Sequence, residues 1–218
     1  MTAAVTDKGL LKERAYSEIK GYIQRDEYLP GEFLSERQLA SRLGMSKTPV
    51  KSALERLEVE GFVAVSPQQG IVVRDVSIHE IADQFEIRLA LESFVLRSIA
   101  GRLNSEQTAQ VRKNLKEQAK AAKTGDLAGA AQLDSEFHTS FCEFLGNREI
   151  VRVMMQLREK MHRVVVRVFE NKHERLQSSY QEHSEIAQAV LDGDASRAVA
   201  SLEEHLNCGK QLLLSPRR

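Results

Sequence analysis

Hydrophobic and polar residues alternate along most of this chain with the spacing of an α-helix. Between residues 10 and 25 the apolar positions recur every three or four residues, which predicts a first helix. The segments 36–43 and 46–60 repeat that spacing over shorter lengths and predict two further helices. The first 60 residues are therefore expected to be mainly helical.

The residues that flank the second and third predicted helices support their boundaries. Ser35 and Ser46 stand where a hydroxyl side chain commonly caps the first helical turn. Gly44 follows the second helix and Gly61 the third, and glycine readily adopts the backbone conformation that ends a helix. Pro49 falls in the first turn of the third helix, where its missing N–H costs nothing. The pattern predicts a helix, a tight turn and a second helix.

The pattern changes to β-type beyond Gly61 and then returns to helix for the rest of the chain. Residues 62–65 and 71–73 are rich in β-branched side chains and surround a turn that contains Pro67 and Gly70, which predicts a β-hairpin. Between residue 76 and residue 215 there is no proline. Six consecutive helices are predicted there, near 78–101, 105–123, 126–146, 148–170, 172–192 and 194–213.

These elements predict a mainly α protein with two domains that meet near residue 75. Residues 1–75 are expected to form an N-terminal winged helix-turn-helix with a small β-hairpin wing. Residues 76–218 are expected to form an all-α antiparallel helical bundle, because short connections place consecutive helices side by side.

Composition narrows the class of protein but does not assign a function. The 218 residues include 31 Lys and Arg and 31 Asp and Glu, so the formal net charge is zero and a polycation is excluded. The two cysteines, Cys142 and Cys208, favour a reducing compartment over a disulfide framework. We find no signal peptide and no apolar run long enough for a transmembrane helix, and we expect a cytoplasmic protein.

Positive charge is concentrated in the predicted helix-turn-helix. Between residues 33 and 56 five cations face two anions, a local charge of +3 in a neutral chain. The second helix of such a motif enters the DNA major groove by its N-terminal end, where Lys47, Thr48 and Lys51 lie. Ordinary solvated helix faces are the alternative explanation. The predicted hairpin after the helix pair favours DNA binding.

The first domain resembles the GntR-type winged-helix repressors. The resemblance rests on LPGEFLSERQLA at 29–40, GMSKTPVKSAL at 44–54 and LEVEG at 57–61. It implies DNA contacts from the following residues: Arg37, Ser46, Lys47, Thr48, Lys51, Gln68, Gln69 and Gly70. Lys47 and Lys51 stand where the family usually has arginine, so the bidentate reading of guanine is lost and operator specificity is expected to differ.

One aspartate and three histidines of the second domain are candidates for a metal site. Asp134 and His138 are four residues apart and share a helix face. His183 and His205 each lie among apolar positions at core spacing, so all four side chains are expected to point inward. Separate hydrogen bonds in the core are the alternative to a shared divalent cation.

The second domain resembles the ligand-binding (FCD) domain of the FadR subfamily. Many members bind a metal through an Asp-x-x-x-His pair and two later histidines, which implies Asp134, His138, His183 and His205 as ligands here. The resemblance implies a divalent metal ion, zinc first, with nickel, manganese, iron or cobalt as alternatives. Arg88 matches an arginine that faces the effector cavity in this family, and an ion pair with Glu92 is the other explanation.

Together these features predict a transcriptional regulator, not an enzyme. We expect a homodimer that represses from a palindromic double-stranded DNA operator and responds to a small organic acid of the carboxylate type. Three alternatives stay open: a metal-dependent hydrolase, a regulator with a purely structural metal, and a regulator that senses the metal itself.

Overall fold

The computed structural model describes residues 3–66 and 70–214 and is mostly helical. The elements, in chain order, are α1 (Ala3–Gln24), β1 (Phe33–Leu34), α2 (Glu36–Leu43), α3 (Lys47–Val59), β2 (Val63–Ser66), β3 (Gly70–Val73), α4 (Ile78–Ile99), α5 (Ser105–Thr124), α6 (Leu127–Leu145), α7 (Arg148–Asn171), α8 (Glu174–Asp192) and α9 (Ala195–Leu214). The predicted fold class, a winged helix-turn-helix followed by a helical domain, is confirmed.

The chain divides into two compact units, Met1–Asp75 and Val76–Arg218. In the first unit, the turn between α2 and α3 depends on Gly44, whose positive φ of 63° ends α2 in the left-handed conformation. The Ser35 side chain accepts a hydrogen bond from the Gln38 N–H at the start of α2. Ser46 occupies the N-cap position of α3 but its side chain makes no capping bond.

The wing contains one strand more than the sequence pattern predicts. β2 and β3 form the expected antiparallel hairpin, and β1 pairs antiparallel with the other edge of β3. The third strand is only two residues long, Phe33–Leu34, too short to show a period of two. Leu34 contributes to the core of the unit, where α1 packs on α3 around buried aliphatic side chains.

The described part of the second unit is a bundle of six helices, in which several of the contacts join helices that are not consecutive in the chain. The α4 helix packs against α6 and α9, α6 against α7, and α8 against α5 and α9. Phe137 of α6 is among the largest fully buried side chains and lies in the main core cluster with Leu202 of α9. α6, α8 and α9 thus place polar residues of their inner faces in one interior region.

None of the helices within 3–66 and 70–214 is both long enough and apolar enough to cross a membrane.

Candidate metal centre and nucleic-acid interface

Four buried side chains from three helices meet in the interior of the second unit. Asp134 and His138 come from α6, His183 from α8 and His205 from α9. One ligand atom from each lies within 4.8 Å of the ligand atoms of the others. The candidate ligands of the sequence analysis are therefore brought together in a cluster that can hold a metal ion.

The distances within this cluster suit a single cation. His205 Nε2 lies 3.1 Å from His138 Nε2 and 3.3 Å from His183 Nε2, and His183 Nε2 lies 3.5 Å from Asp134 Oδ1. Two neighbouring ligand atoms that each lie about 2.1 Å from one ion are roughly 3.0 to 3.4 Å apart. These three distances are therefore compatible with a shared ion.

The outer nitrogen of each histidine faces a hydrogen-bond acceptor. His138 Nδ1 lies 2.5 Å from Glu92 Oε2, and His205 Nδ1 lies 2.6 Å from Glu182 Oε2. These acceptors favour a proton on Nδ1, which leaves the lone pair of each Nε2 pointing into the cluster.

His183 is oriented by a neutral side chain instead of a carboxylate. Its Nδ1 lies 2.8 Å from Gln118 Oε1, and its ring stacks on Phe137 with the ring centroids 4.3 Å apart. Three lone pairs and a carboxylate that converge without a proton between them repel one another unless a cation lies among them. The donor set thus fits the divalent metal that the resemblance implies.

Burial and charge fix the protonation of the groups around the cluster. Burial lowers the pKa of His183 well below its usual value, and the neighbouring histidines act in the same direction. Burial also lowers the pKa of His205. Two of the three imidazoles are therefore neutral at pH 7, as ligation requires.

The two outer carboxylates remain ionised although they lie in the interior. Burial by itself raises the pKa of Glu92, but His138 and Arg88 outweigh it and hold that pKa at about 2. In the same way His205 and Arg175 hold the pKa of Glu182 at about 2 against the effect of burial. Each carboxylate is thus an anion that binds one arginine and one histidine.

Arg88 makes the ion pair that the sequence analysis gave as one explanation, and it also lines a pocket. Its Nε donates a hydrogen bond of 2.8 Å to Glu92 Oε1, so the ion pair is present. Neither of its Nη atoms donates to another described residue. Arg88 also lines a narrow pocket with Asp134, His138 and, on the facing helix α7, Arg158. Apolar side chains form most of the α7 wall: Met154, Leu157, Met161 and Val165.

The candidate DNA-binding residues lie on the surface of the first unit. Arg37 is exposed on α2, and Ser46, Lys47, Thr48 and Lys51 are exposed along the first turn and a half of α3. Lys51 approaches Glu55 only to 4.0 Å. Gly70 begins β3, and the candidates Gln68 and Gln69 lie outside the described residues. The described candidates on α2 and α3 are thus accessible to a ligand.

Two of the five cations in the helix-turn-helix are engaged inside the unit. Arg42 pairs with Glu27, and its guanidinium lies 3.9 Å from the centroid of the Tyr22 ring. Arg56 donates to Glu13 and Glu60. The local charge of +3 therefore overstates what α3 and α2 can offer to DNA. Arg37, Lys47 and Lys51 are the exposed cations that donate no hydrogen bond to a described carboxylate.

Sequence reasoning did not identify the side chains that contact the cluster histidines from outside. Glu92 was named only as a partner of Arg88, four residues earlier, and not as a partner of His138. Glu182 precedes His183 in the chain yet binds His205, and Gln118 lies 65 residues before His183. Neither of these two pairings has a local signal, because they depend on how helices cross.

Comparison with known proteins assigns each half of the chain to a described family. The model for "Bacterial regulatory proteins, gntR family" matches residues 11–73, and the model for "FCD domain" matches residues 83–207. The Nta operon transcriptional regulator of Aminobacter aminovorans is 27% identical over 181 residues, which cover 82% of this chain and 83% of that protein.

A second relative is also named as a transcriptional regulator, and a solved structure has a similar fold. The transcriptional repressor NanR of Salmonella newport is 28% identical over 217 residues, covering 90% of this chain and 83% of that protein. The crystal structure of a transcriptional regulator of the GntR type from Rhodococcus sp. RHA1 has a TM-score of 0.82 at 20% identity and covers 95% of this chain and 99% of that chain.

Proposed function

Because the chain belongs to the GntR family of bacterial transcriptional regulators and carries an FCD domain, we propose that it is an operator-binding repressor controlled by a small organic acid. The acid binds beside the buried Asp/His cluster, and its binding changes the affinity of the winged heads for DNA. The single observation that carries this proposal is the convergence of Asp134, His138, His183 and His205 in a pocket with Arg88, whose Nη atoms donate to no described residue.

The first step of this function is binding to DNA through α2 and α3. Arg37, Lys47 and Lys51 are exposed cations, and the backbone N–H groups at the start of α3 are not capped by Ser46. Uncapped N–H groups and lysine side chains both bind phosphate oxygens. Lys47 and Thr48 follow the N-cap and lie at the end of the helix that enters the major groove.

A direct test uses a duplex selected by the full-length protein from a random-sequence library. We expect the selected sequence to be palindromic, and we expect Lys51→Ala to weaken binding and to lower the slope of log Kd against log salt by about 1 for each head. Lys12→Ala is the matched control, because Lys12 is an exposed cation on α1 outside the two helices. Full-strength binding by an Arg37→Ala/Lys51→Ala protein would contradict the assigned contacts.

The second step is binding of a metal ion and an acid in the bundle. Asp134, His138, His183 and His205 hold the divalent ion, for which zinc is the first candidate, and the bound ion supplies a positive charge for a carboxylate oxygen. Arg88 then donates its two Nη groups to the same carboxylate. Glu92 and Glu182 are engaged by arginine and histidine, so neither is available as a catalytic base, and we propose no enzymatic activity.

Elemental analysis of protein purified without chelators tests the metal site. We expect one metal ion per chain, and we expect His183→Ala to lose it while His79→Ala, an exposed histidine of the same unit, keeps it. Zinc, nickel, manganese, iron and cobalt are distinguished by the same measurement. Release of the selected duplex by metal alone would instead identify a metal sensor, and release by an organic acid supports the proposed regulator.

The third feature is a homodimer, for which α4 offers a self-complementary face. Ile87 and Phe94 are 43% and 53% exposed on one side of the helix, with the small, exposed Ala90 between them. Asp83 and Arg97 lie seven residues before and after Ala90 and pair with no described residue. When two copies of α4 cross antiparallel at Ala90, each aspartate faces the other copy's arginine.

Light scattering after gel filtration tests this interface. We expect the unaltered chain to be a dimer of 24.6 kDa subunits and Phe94→Glu to be a monomer, because a charge there opposes burial of the apolar face. Met155→Glu on α7 is the matched control at a similarly exposed apolar residue. A dimer that persists in Phe94→Glu would place the interface elsewhere.

A further inference from the structure

Arg158 of α7 is a cation whose position in the pocket the metal cluster does not explain. Its side chain is 26% exposed, and it lines the pocket together with Arg88, Asp134 and His138. Its ion-pair partner is Glu136, at 3.9 Å, and it makes no hydrogen bond with any described residue. A guanidinium has five N–H donors, so this one has unused hydrogen-bonding capacity.

Two other described arginines near the cluster each have their charge balanced by a buried or half-buried carboxylate. Arg88 binds Glu92, and Arg175 donates hydrogen bonds to both oxygens of Glu182. Glu136, by contrast, is 45% exposed and accepts a hydrogen bond of 2.6 Å from Gln132. Glu136 is therefore shared with Gln132 and solvent, and its contact with Arg158 is a distant one that a ligand carboxylate can replace.

The balance of charge around the pocket indicates the charge of its ligand. A divalent cation contributes two positive charges and Asp134 one negative charge, while the pairs of Arg88 with Glu92 and Arg175 with Glu182 cancel. Arg158 adds one more positive charge, which Glu136 offsets at a distance of 3.9 Å. The pocket therefore has cationic groups at two places, the candidate metal with Arg88 and, separately, Arg158, so a ligand with one carboxylate for each can bind both.

Arg158 lies at a different part of the pocket from Arg88, because it also lines a neighbouring groove. Arg158 and Thr139 also line an adjacent polar groove between α5, α6 and α7, so they stand where the pocket meets that groove. Apolar side chains of α7, Leu157 and Met161, line the same pocket. A ligand held at the cluster by one carboxylate therefore passes an apolar wall before it reaches a second cation at the mouth.

We propose that the effector is a dicarboxylate whose second carboxylate binds Arg158 at the mouth of the pocket. This inference rests on the proposed function and adds the substrate class. The first carboxylate binds at the cluster and Arg88, and the second forms a charge-assisted pair with the Arg158 guanidinium, displacing the distant contact with Glu136. Arg158 is then the residue that distinguishes diacids from monoacids of similar length.

Calorimetric titration of the full-length, zinc-loaded protein tests the inference with matched acids. The probes are malate and 2-hydroxyglutarate as diacids, lactate and 2-hydroxybutyrate as monoacids, and the 4-amide of malate, which has the size of malate without its second charge. We expect the better diacid to bind about 10- to 100-fold tighter than its monoacid. We expect the amide to bind no more than a few-fold tighter than lactate.

Substitutions of two arginines on α7 test whether Arg158 causes the preference for diacids over monoacids. Arg158→Gln should lower the affinity for the diacid to that for the monoacid and leave the monoacid affinity within about twofold. Arg152→Gln is the control, because Arg152 is exposed and pairs with Glu149 on α7. Arg158→Lys keeps the charge and should retain part of the preference, which provides a test if the glutamine variant fails to fold.

The outcomes separate this inference from the proposed function. Equal binding of monoacids and diacids, with release of the operator by both, overturns the dicarboxylate proposal and leaves the regulator in place. A diacid preference that Arg158→Gln does not reduce overturns the role of Arg158. If no acid in the set binds the zinc-loaded protein, the proposed effector site itself is wrong.

Discussion

Three histidines of the same cluster differ in what orients each ring. His138 and His205 face carboxylates, whereas His183 faces the amide oxygen of Gln118. The Gln118 amide is itself oriented, because its Nε2 donates a hydrogen bond of 2.6 Å to Asn114 Oδ1. A neutral partner can be removed without leaving a buried charge unpaired. Substitution of Gln118 therefore tests how a hydrogen bond to the far nitrogen of a candidate metal-ligating histidine affects metal affinity.

Gln118→Ala should weaken zinc binding by about 10- to 100-fold, because His183 loses the acceptor that fixes its Nδ1 proton. Competition with a chromogenic chelator measures the change. Gln110→Ala, at an exposed position on the same helix, should leave the zinc affinity unaltered. An unchanged affinity in Gln118→Ala would show that packing on Phe137 alone orients the ring.

Single residues also show which structural features the sequence predicted and which it did not. Gly44 was identified as the stop of α2 because a helix end needs a residue that tolerates positive φ. The exposed state of Lys47 and Lys51 follows from the period of α3, but the engagement of Arg42 by Tyr22 and Glu27 does not. That contact joins residues of α1, the following turn and α2, which no local pattern relates.

Among the secondary-structure elements, the helix ends are the best-defined features. α4 begins with a capping box, in which the Glu80 N–H donates to the Ser77 side chain and the Ser77 N–H donates to the Glu80 side chain, at 3.1 and 2.9 Å. The same arrangement, with Asn104 and Gln107, begins α5. The predicted helix boundaries lie within a few residues of the observed ones in the second unit because caps and glycines are local signals.

Ser77→Ala should lower the free energy of unfolding by about 1 kcal/mol, because an N–H of the first turn of α4 loses its acceptor. Urea denaturation followed by circular dichroism measures the change. Ser46→Ala is the control, since Ser46 has the same position in α3 without a capping bond. An equal loss of stability in both variants would contradict the assigned role of the cap.

The contact between α1 and the end of α3 depends on an ionic cluster at the edge of the core. Glu60 accepts hydrogen bonds from the Tyr16 hydroxyl at 2.7 Å and from Lys20 Nζ at 3.1 Å, and Lys20 is buried. Burial raises the pKa of Glu60, but Tyr16, Lys20 and Arg56 outweigh this effect and lower the pKa below its usual value. Glu60 is therefore ionised in the folded protein.

This lowered pKa predicts how stability changes with pH. Because the folded state holds the proton of Glu60 less tightly than the unfolded state, the stabilisation is complete above the unfolded pKa of 4.5 and is lost as pH falls through the folded value. Glu60→Gln should lower the free energy of unfolding by about 1–3 kcal/mol at pH 7. The difference in the free energy of unfolding between Glu60→Gln and the unaltered chain should become smaller below pH 4.5.

Denaturation curves from pH 3 to pH 7 measure that difference, with Glu18→Gln as the control at an exposed carboxylate of α1. A difference that is constant over the whole range would contradict the ionic role of Glu60.

Among the elements, the sequence pattern did not predict the two-residue strand β1, because its pairing with β3 and not its own pattern defines it.

For the whole molecule, the metal cluster links α6, α8 and α9 across the bundle. A ligand that binds only the folded state stabilises it by about 4 kcal/mol when present at 1,000 times its Kd. For a unit of this size that corresponds to a shift of roughly 10 °C in the unfolding midpoint. A metal ion bound at this cluster is therefore expected to stabilise the bundle as well as to support the proposed effector binding.

Removal of the metal with a chelator should lower the midpoint of the second unit by about 10 °C and leave the first unit unaffected, as measured by differential scanning calorimetry. His183→Ala should show the lower midpoint with or without chelator. A chelator that shifts the midpoint of His183→Ala as much as that of the unaltered chain would indicate a metal bound elsewhere.

The amino-acid sequence determined the helices, the winged helix-turn-helix and the four ligands of the candidate metal site. These depend on local periodicity, on caps and glycines, and on a resemblance carried by short motifs. The zero net charge of the chain excluded a polycation, but only the contacts in the structure separated exposed cations such as Lys51 from cations such as Arg42 that are engaged by a carboxylate and an aromatic ring.

Tertiary structure decided everything that depends on how helices cross. It placed Glu92 against His138 and Glu182 against His205, and it placed Arg158 in the same pocket as Arg88. A side chain's periodicity shows which face of its helix it occupies, but not which residue of another helix lies opposite. The packing of the helices supplies that information, and with it the two cationic places in the pocket on which the dicarboxylate proposal rests.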